Sequence, residues 1–170
     1  MTTSPAFTLR AAELRDVAPI VALIRELAEF EKLTHLLQVT PEKLRPHLFG
    51  KKQVAEAMVA EVAEGAVPEG ESRVVAFALF FTNFSTFLAQ PGLYLEDLYV
   101  KPAQRGAGIG EALLTRLARL AVERDYGRFE WSVLDWNQGA IRFYERMGAT
   151  VMPDWRICRL TGDALLRFRA

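Results

Sequence analysis

A mixed α/β domain is the fold class that the 170-residue sequence predicts, and three observations lead to it. Residues 93–100 are apolar on both faces except for Glu96 and Asp97, as expected for a central strand that is buried on both sides. This run passes into a glycine-rich turn, residues 104–110, which opens a helix with one apolar stripe. Another apolar run, residues 129–134, follows the helix. We therefore expect a strand–helix–strand unit with a right-handed parallel crossover.

Periodicity and turn residues predict five elements before this unit. They are a strand at Phe7–Ala11, a helix from Asp16 to about Lys32, a helix capped by Thr40 and ended by Gly50, and an antiparallel hairpin of strands at 57–63 and 74–82. Residues 83–92 are expected to form an irregular loop that exposes Phe84 and Phe87.

Three further elements are predicted after the unit. They are a helix at 137–147 closed by Gly148, a strand at 155–160 and a short terminal helix at 161–168. No repeat, low-complexity tract or linker divides the sequence, so residues 1–170 are expected to form a single domain.

Composition excludes several classes of function. Lysine and arginine balance aspartate and glutamate, so the formal net charge is zero and a nucleic-acid or membrane-surface role is not expected. One cysteine, Cys158, and two histidines, His35 and His47, make a metal site improbable. Residues 1–5 are short and polar and show no signal-peptide pattern, and no apolar stretch has transmembrane length. We therefore expect a cytoplasmic protein.

The glycine-rich turn is typical of a phosphate site, because it directs backbone N–H groups to one point at the positive end of a helix. A P-loop would need a Lys-Ser/Thr pair after the glycines, and Ile109-Gly110-Glu111 offers none. A dinucleotide fingerprint would need an acid about twenty residues on, and Glu130 is near that spacing without the surrounding βαβ repeat. A plain turn that starts a helix stays open as the structural alternative.

Asn137 and Tyr144 begin a second pattern and lie seven residues apart on the next helix. A structural interpretation of each remains open, with Asn137 as a helix cap and Tyr144 as a core side chain. Glu96 and Asp97 interrupt the central strand, and successive side chains of a strand face opposite sides, so the two acids cannot share one task. A buried acid of this kind either forms a salt bridge with an arginine or acts on the substrate. We expect Glu96 rather than Asp97 to act on the substrate.

The two motifs together resemble the GNAT family of acyl-CoA-dependent N-acetyltransferases. The first, Arg105-Gly106-Ala107-Gly108-Ile109-Gly110, is similar to the pyrophosphate loop of that family. The second is the pattern Asn-x-x-Ala-x-x-Phe-Tyr-x-x-x-Gly from Asn137 to Gly148. The resemblance implies a mostly antiparallel central sheet flanked by helices, with a parallel βαβ unit that binds acyl-CoA. It also implies acetyl-CoA as co-substrate and no metal.

The resemblance also implies roles for individual residues. The central strand would bind the thioester arm, and one of its backbone N–H groups would donate to the oxyanion. Such an N–H group is free only where the strand separates from its neighbour, as at a bulge. Tyr144, protonated at neutral pH, would give a proton to the departing sulfur as general acid. The implied cofactor-binding residues are Leu98, Tyr99, Val100, Arg105, Gly106, Ala107, Gly108, Ile109, Gly110, Glu111, Asn137, Ala140, Phe143 and Tyr144.

Similarity over nearly the whole chain extends to the spermidine/spermine (diamine) N-acetyltransferase branch, through segments such as 25–31, 94–100 and 154–156. Glu96 would then take a proton from the attacking amine as base, and Phe30, Glu31 and Asp135 would bind the substrate with it. Ser85 stands where that branch has an aspartate, which favours a shorter amine or a thialysine-like amino acid over a long polycation. A homodimer is implied by the resemblance alone.

Two other functions stay open. The exposed aromatic loop could dock a peptide, in which case the enzyme would acetylate a protein amine. A non-catalytic acyl-CoA-binding module would keep the glycine turn but lose the acid and the base.

Overall fold

A computed structural model describes residues 7–169 of the chain. The main elements are β1 (Phe7–Ala11), α1 (Val17–Phe30), α2 (Pro41–Phe49), β2 (Glu56–Val62), β3 (Val74–Ser85), β4 (Gln90–Val100), α3 (Ile109–Glu123), β5 (Arg128–Trp131), α4 (Gln138–Arg146) and α5 (Gly162–Leu166). The chain divides into two compact units at Ser132 and Val133, which are described separately below. The prediction for residues 1–5 lies outside the described residues.

The first unit is built on a five-stranded sheet in the order β1-β2-β3-β4-β5. The first four strands pair antiparallel with their neighbours, and β5 lies parallel to β4. The predicted mixed, mostly antiparallel sheet is therefore confirmed, together with the parallel pair that flanks α3. This topology leaves β4 as the strand that joins the antiparallel and parallel parts.

One face of the sheet packs against α1 and α2. Their apolar side chains form a core with strand residues that alternate on that face, including Phe77 and Leu79 of β3 and Tyr99 of β4. We call this surface the α1 face. The apolar stripe of α3 is buried as well, with Ile109, Leu113 and Leu117 at most 2% exposed. Because α3 contacts every strand of the sheet, it covers the opposite face.

Local signals in the sequence explain where these helices begin and end. The Thr40 hydroxyl accepts a hydrogen bond from the Lys43 N–H at 3.3 Å, and Pro41 follows it in the first turn of α2. The helix ends at Gly50, whose N–H bonds to the Pro46 carbonyl. The predicted cap and stop of α2 are confirmed.

Two predicted segments are wrong. Residues 83–92 do not form an irregular loop, because Phe84 pairs with Pro91 and Ser85 with Gln90, which carries the β3–β4 hairpin almost to its turn. The tip nevertheless exposes Phe84 by 58% and Phe87 by 95%, as expected. Residues 155–160 are not a strand: they are exposed and pair with no described strand. A strand exists only through its ladder, which an alternating sequence cannot supply by itself.

The second unit is small and mostly helical. Helix α4 is followed by Gly148, which has a positive φ, and the Ala149 N–H returns to the Tyr144 carbonyl at 3.0 Å. The short terminal helix is present as α5. Among residues 7–169, no helix is both long enough and apolar enough to cross a membrane.

A buried carboxylate fixes the start of α1 to the sheet. Asp16, 2% exposed, accepts hydrogen bonds from Arg10 Nη1 at 2.6 Å, from Arg10 Nη2 at 2.9 Å and from the Glu13 N–H at 2.7 Å. Arg10 also donates to Glu61. Burial acts to raise the pKa of Asp16, but the bonds from Arg10 and Glu13 outweigh it and hold this pKa below its usual value.

We expect Asp16→Asn to destabilise the fold by about 2–4 kcal/mol, because Arg10 loses a charge partner in a buried setting. The depressed pKa of Asp16 contributes stability that is present above the unfolded pKa, about 3.9, and is lost as the pH falls through the folded pKa. Urea unfolding from pH 3 to 7 measures both effects. The variant should show a lower stability at pH 7 and a shallower loss toward pH 3; an equally steep loss would contradict this assignment.

Candidate active site

Strand β4 carries an irregularity at Glu96. Leu79 of β3 lies opposite Asp97, and the next residue, Phe80, lies opposite Leu95, so Glu96 is an extra residue without a partner across the ladder. This is a β-bulge, and its position explains why Glu96 is exposed in the middle of an apolar strand. The expected irregularity is therefore present, slightly earlier than the 98–100 segment.

Beyond the bulge, one edge of β4 has no strand beside it. The pairing with β5 ends at Leu95 and Trp131. On the other side, the Lys101 N–H donates to the Val75 carbonyl at 2.9 Å. Backbone groups of an antiparallel strand alternate in direction, so the N–H groups of Leu98 and Val100 face away from β3. They point to the open edge, where no strand of the described part of the chain meets them.

The glycine-rich turn leads from this edge into α3. Gly106 and Gly108 have φ values of +81° and +79°, which residues with a side chain rarely adopt. Apart from the adjacent residues, no heavy atom lies within 4 Å of the position that a Cβ would take at either glycine. The first intrahelical bond runs from the Ala112 N–H to the Gly108 carbonyl. The N–H groups of residues 109–111 therefore remain for a ligand at the positive helix end.

Arg105 lies between the turn and the end of α1. Its guanidinium carbon is 5.3 Å from the ring centre of Phe30 and 5.6 Å from that of Tyr99, which are cation–π distances. Its Nε donates to the Val100 carbonyl at 3.1 Å. Arg105 thus contacts the open edge of β4 as well as the aromatic residue that the sequence associates with substrate.

Three acidic side chains, Glu31, Glu96 and Asp97, lie near one another at the bulge. Burial raises the pKa of Asp97 to about 7, and the negative charges of Glu96 and Glu31 add to the rise. Burial also raises the pKa of Glu31, which follows α1 directly. Asp97 faces the core side because it lies opposite Leu79. Such a cluster favours a bound cation.

Sequence reasoning underestimated Asp97. Simple alternation places it opposite to Glu96, but it gives no register with β3 and hence no indication that Asp97 faces the end of α1. No signal in the sequence identifies this face: Asp97 lies two residues from Tyr99, and only the observed pairing of Tyr99 with Phe77 shows which side of the sheet the two residues share.

The second unit contains the remaining predicted residues. The Asn137 side chain accepts a hydrogen bond from the Ala140 N–H at 3.2 Å, which confirms its capping role. Within α4 the rings of Phe143 and Tyr144 lie 5.3 Å apart. Asp135 is exposed, and its carbonyl accepts from Gln138 Nε2 at 2.9 Å. By itself, this unit holds Asn137, Ala140, Phe143 and Tyr144 on one short helix and its cap.

The first unit brings most of the other predicted residues to one end of β4. These are Phe30, Glu31, Glu96, Leu98, Tyr99, Val100, Arg105, Gly106, Ala107, Gly108, Ile109, Gly110 and Glu111. Within residues 7–169 no three histidine, cysteine or acidic side chains are grouped so that they could hold a metal ion. The groups that lie at this end of β4 are backbone amides, carboxylates and the guanidinium of Arg105.

Comparisons with known proteins agree with this geometry. Residues 27–149 match the Acetyltransferase (GNAT) family. L-ornithine N5-acetyltransferase NATA1 of Arabidopsis thaliana is 37% identical, across 92% of this chain and 85% of that protein. Thialysine N-epsilon-acetyltransferase of Mus musculus is 36% identical, across 92% and 94%. Spermidine/spermine N(1)-acetyltransferase-like protein 1 of Homo sapiens is 32% identical, across 94% of this chain and 23% of that longer protein.

Solved structures agree on the fold. An integron cassette protein of V. cholerae superposes with a TM-score of 0.75 at 21% identity, covering 96% of this chain and 98% of that one. An aminoglycoside acetyltransferase from an uncultured soil sample gives 0.73 at 16% identity, covering 93% and 97%. At these identities the likeness concerns the fold alone. The family match and the three relatives, together with the bulged strand and the glycine turn, show that this chain belongs to the acetyltransferase (GNAT) family and is an N-acetyltransferase of it.

Proposed function

We propose that this enzyme transfers an acetyl group from acetyl-CoA to the primary amine of a small molecule. One observation carries the proposal: the open edge of β4, with its outward N–H groups, lies directly beside an acidic cluster. The outward N–H groups can donate to the carbonyl oxygen of a thioester, and the acidic cluster attracts an alkylammonium. Acetyl-CoA is the co-substrate that members of the family use.

The glycine turn and the open edge would hold acetyl-CoA. The N–H groups at the start of α3 suit the pyrophosphate, and the amides of Leu98 and Val100 suit the extended arm and the thioester oxygen. Arg105 would add positive charge once it leaves the Val100 carbonyl. In the second unit, Asn137, Ala140 and Phe143 are proposed to contact the arm.

The transfer needs three proton movements: two protons leave the amine nitrogen and one reaches the CoA sulfur. An alkylamine with a pKa near 10.4 arrives as an ammonium, and Glu96 would take its proton directly or through a water molecule. The amine nitrogen then bonds to the thioester carbon, the carbonyl oxygen gains negative charge, and an outward β4 amide donates to it. When the carbon–sulfur bond breaks, Tyr144 would give its hydroxyl proton to the thiolate. The second proton of the attacking nitrogen would return through water to the Tyr144 oxygen, the proton on Glu96 would pass to solvent, and the amide and free CoA leave.

The amine is proposed to be short. Phe30, Glu31 and Asp135 would bind it together with Asp97, and the named activities of two relatives, on ornithine and thialysine, support a diamine-like side chain on an amino acid. Spermidine-like polyamines remain within the proposed class. A homodimer in the cytoplasm stays a prediction.

A peptide amine is the second candidate, and the exposed ring of Phe87 at the hairpin tip favours it. Thiol release with acetyl-CoA separates the possibilities when small amines and peptides are compared under the same conditions. Release with a small amine supports the proposed function. Release with peptides alone supports the second candidate, and CoA binding without any release would indicate a non-catalytic module.

Glu96→Gln should lower kcat about 10²–10⁴-fold, because the variant keeps the shape of the side chain but cannot accept the proton. Thiol release measures the rate, and calorimetry with CoA should give an unchanged affinity. Glu64→Gln, in an exposed turn, is the matched control and should behave as wild type. An unchanged rate in Glu96→Gln would remove Glu96 from the mechanism.

Tyr144→Phe should lower kcat by about 10²-fold or more while the KM for the amine changes little, since only the acid of the last step is lost. Tyr126→Phe is its control: it also loses a hydroxyl, one that bonds to Thr82 Oγ1 at 2.8 Å away from the acid cluster. An acetyl thioester of a thiol more acidic than CoA should partly rescue Tyr144→Phe, because such a thiolate leaves without a proton from the enzyme. Equal rates for both tyrosine variants would refute the assignment.

Asp97→Asn should be more stable than wild type at pH 8, by an amount on the order of 2 kcal/mol. The pKa of Asp97 is raised to about 7 in the folded protein. The stability that the protonated Asp97 contributes is therefore fully present below the unfolded pKa, near 3.9, and is lost as the pH rises through 7. Thermal unfolding at pH 4.5 and pH 8 tests this. A stability difference between the two proteins that does not change with pH would show that Asp97 is not strained by its neighbours.

A further inference from the structure

The acidic cluster continues along the α1 face toward β5. Asp97 lies opposite Leu79 and Tyr94 lies opposite Phe81, and these two β3 residues point to the same face. Glu130 of β5 pairs with Tyr94 in turn. The rings of Phe81 and Tyr94 are stacked, with centres 5.1 Å apart. Asp97, the stacked rings and Glu130 therefore lie along one surface.

An ion pair ends this surface. Arg128 Nη2 lies 3.1 Å from Glu130 Oε1, and it also donates to the Phe84 carbonyl at 3.2 Å. Asn83 Nδ2 donates to the same Glu130 oxygen at 2.7 Å. The side chains of Arg128 and Glu130 remain 34% and 42% exposed, so solvent and small ligands can reach both.

Gly92 leaves room for the side chain of Arg128 beside the β4 backbone. A Cβ at Gly92 would lie 2.5 Å from Asn83 Oδ1 and 2.8 Å from Arg128 Cγ. The arginine side chain therefore crosses directly over the β4 backbone. Its Nε and the Asn83 Oδ1 are buried and have no hydrogen-bond partner in the described part of the chain. An arrangement that leaves two polar atoms unsatisfied costs stability, and it fixes a positive charge on this face.

The distance along β4 determines how long a ligand must be to contact both the acidic cluster and the Arg128–Glu130 ion pair. Asp97 and Tyr94 are three residues apart with one bulge residue between them, which corresponds to about 10 Å or less. An amine whose reacting nitrogen lies at the bulge would place a group four or five carbons away over the stacked rings and beside the ion pair, since Tyr94 pairs with Glu130. A longer polyamine would bring another ammonium to Arg128.

We infer that Arg128 determines substrate specificity: it favours primary amines with a carboxylate at the end remote from the reacting nitrogen and disfavours polycations. This inference rests on the proposed acetylation of a small amine at Glu96. A remote carboxylate is attracted by the guanidinium, whereas a remote ammonium is repelled by it. Glu130 partly neutralises Arg128 and thereby limits the size of both effects.

Matched pairs of amines test the inference, because ornithine and putrescine, or lysine and cadaverine, differ only by the carboxylate. The measured quantity is the ratio of kcat/KM for the amino acid to that for the diamine, from thiol release. Arg128→Gln should lower this ratio about fivefold, and Arg128→Lys should keep most of it. Glu130→Gln can still accept from Asn83 and should raise the ratio, because it leaves the positive charge of Arg128 uncompensated.

Arg73→Gln is the matched control, since it removes an exposed guanidinium that pairs with Glu61 away from this surface. Its ratio should equal that of wild type. Damage to the fold would change kcat/KM for both amines of a pair together and would not move the Arg128 and Glu130 variants in opposite directions. Opposite shifts, reduced at 0.5 M salt, support the inference. Ratios that do not change, or that change in the same direction, overturn it, whereas a wild-type enzyme that acetylates no small amine refutes the proposed function instead.

Discussion

The change in pairing along β4 is the constraint on which the site depends. Up to Leu95 the strand has neighbours on both sides, and after the bulge at Glu96 it has only β3. Backbone N–H groups of a central strand normally form hydrogen bonds with both neighbouring strands. A central strand with one unpaired edge therefore needs a structural cause. Here the short β5 and the glycine turn provide that cause, because the chain leaves β4 for α3 and returns for only four residues.

The bulge also places carboxylates where the backbone amides become available. Without the extra residue, alternation would direct Glu96 and Asp97 to opposite faces. With it, Asp97 faces the end of α1 and Glu31, while Glu96 remains exposed beside the open edge. Burial of Asp97, together with the nearby charges of Glu96 and Glu31, raises its pKa to about 7. An ammonium bound among these acids would oppose this rise, so the cluster is better suited to a cationic ligand than to the empty enzyme.

Much of this architecture could be predicted from local sequence. Helix caps at Thr40 and Asn137, and the positive φ of Gly106 and Gly108, follow from the chemistry of single residues and their immediate neighbours. What could not be predicted depends on register between strands. The location of the bulge, the face of Asp97 and the extension of the β3–β4 hairpin are decided by which residues lie opposite each other, and a single strand carries no such information.

The α1 face has an uneven distribution of charge although the whole chain has none in excess. Long-range attraction of polycations is therefore weak, and discrimination among amines must come from groups within a few ångströms of the ligand. At the bulge the charge is negative, and at Gly92 the guanidinium of Arg128 meets Glu130. A diamine gains at the first place and loses at the second, whereas an amino acid with a side-chain amine brings a carboxylate to the second. Ser85 adds no negative charge at the hairpin end, since its buried hydroxyl accepts from the Leu88 N–H at 3.3 Å. The guanidinium of Arg128, held by the Phe84 carbonyl and only partly neutralised by Glu130, therefore disfavours a second ammonium at the hairpin end.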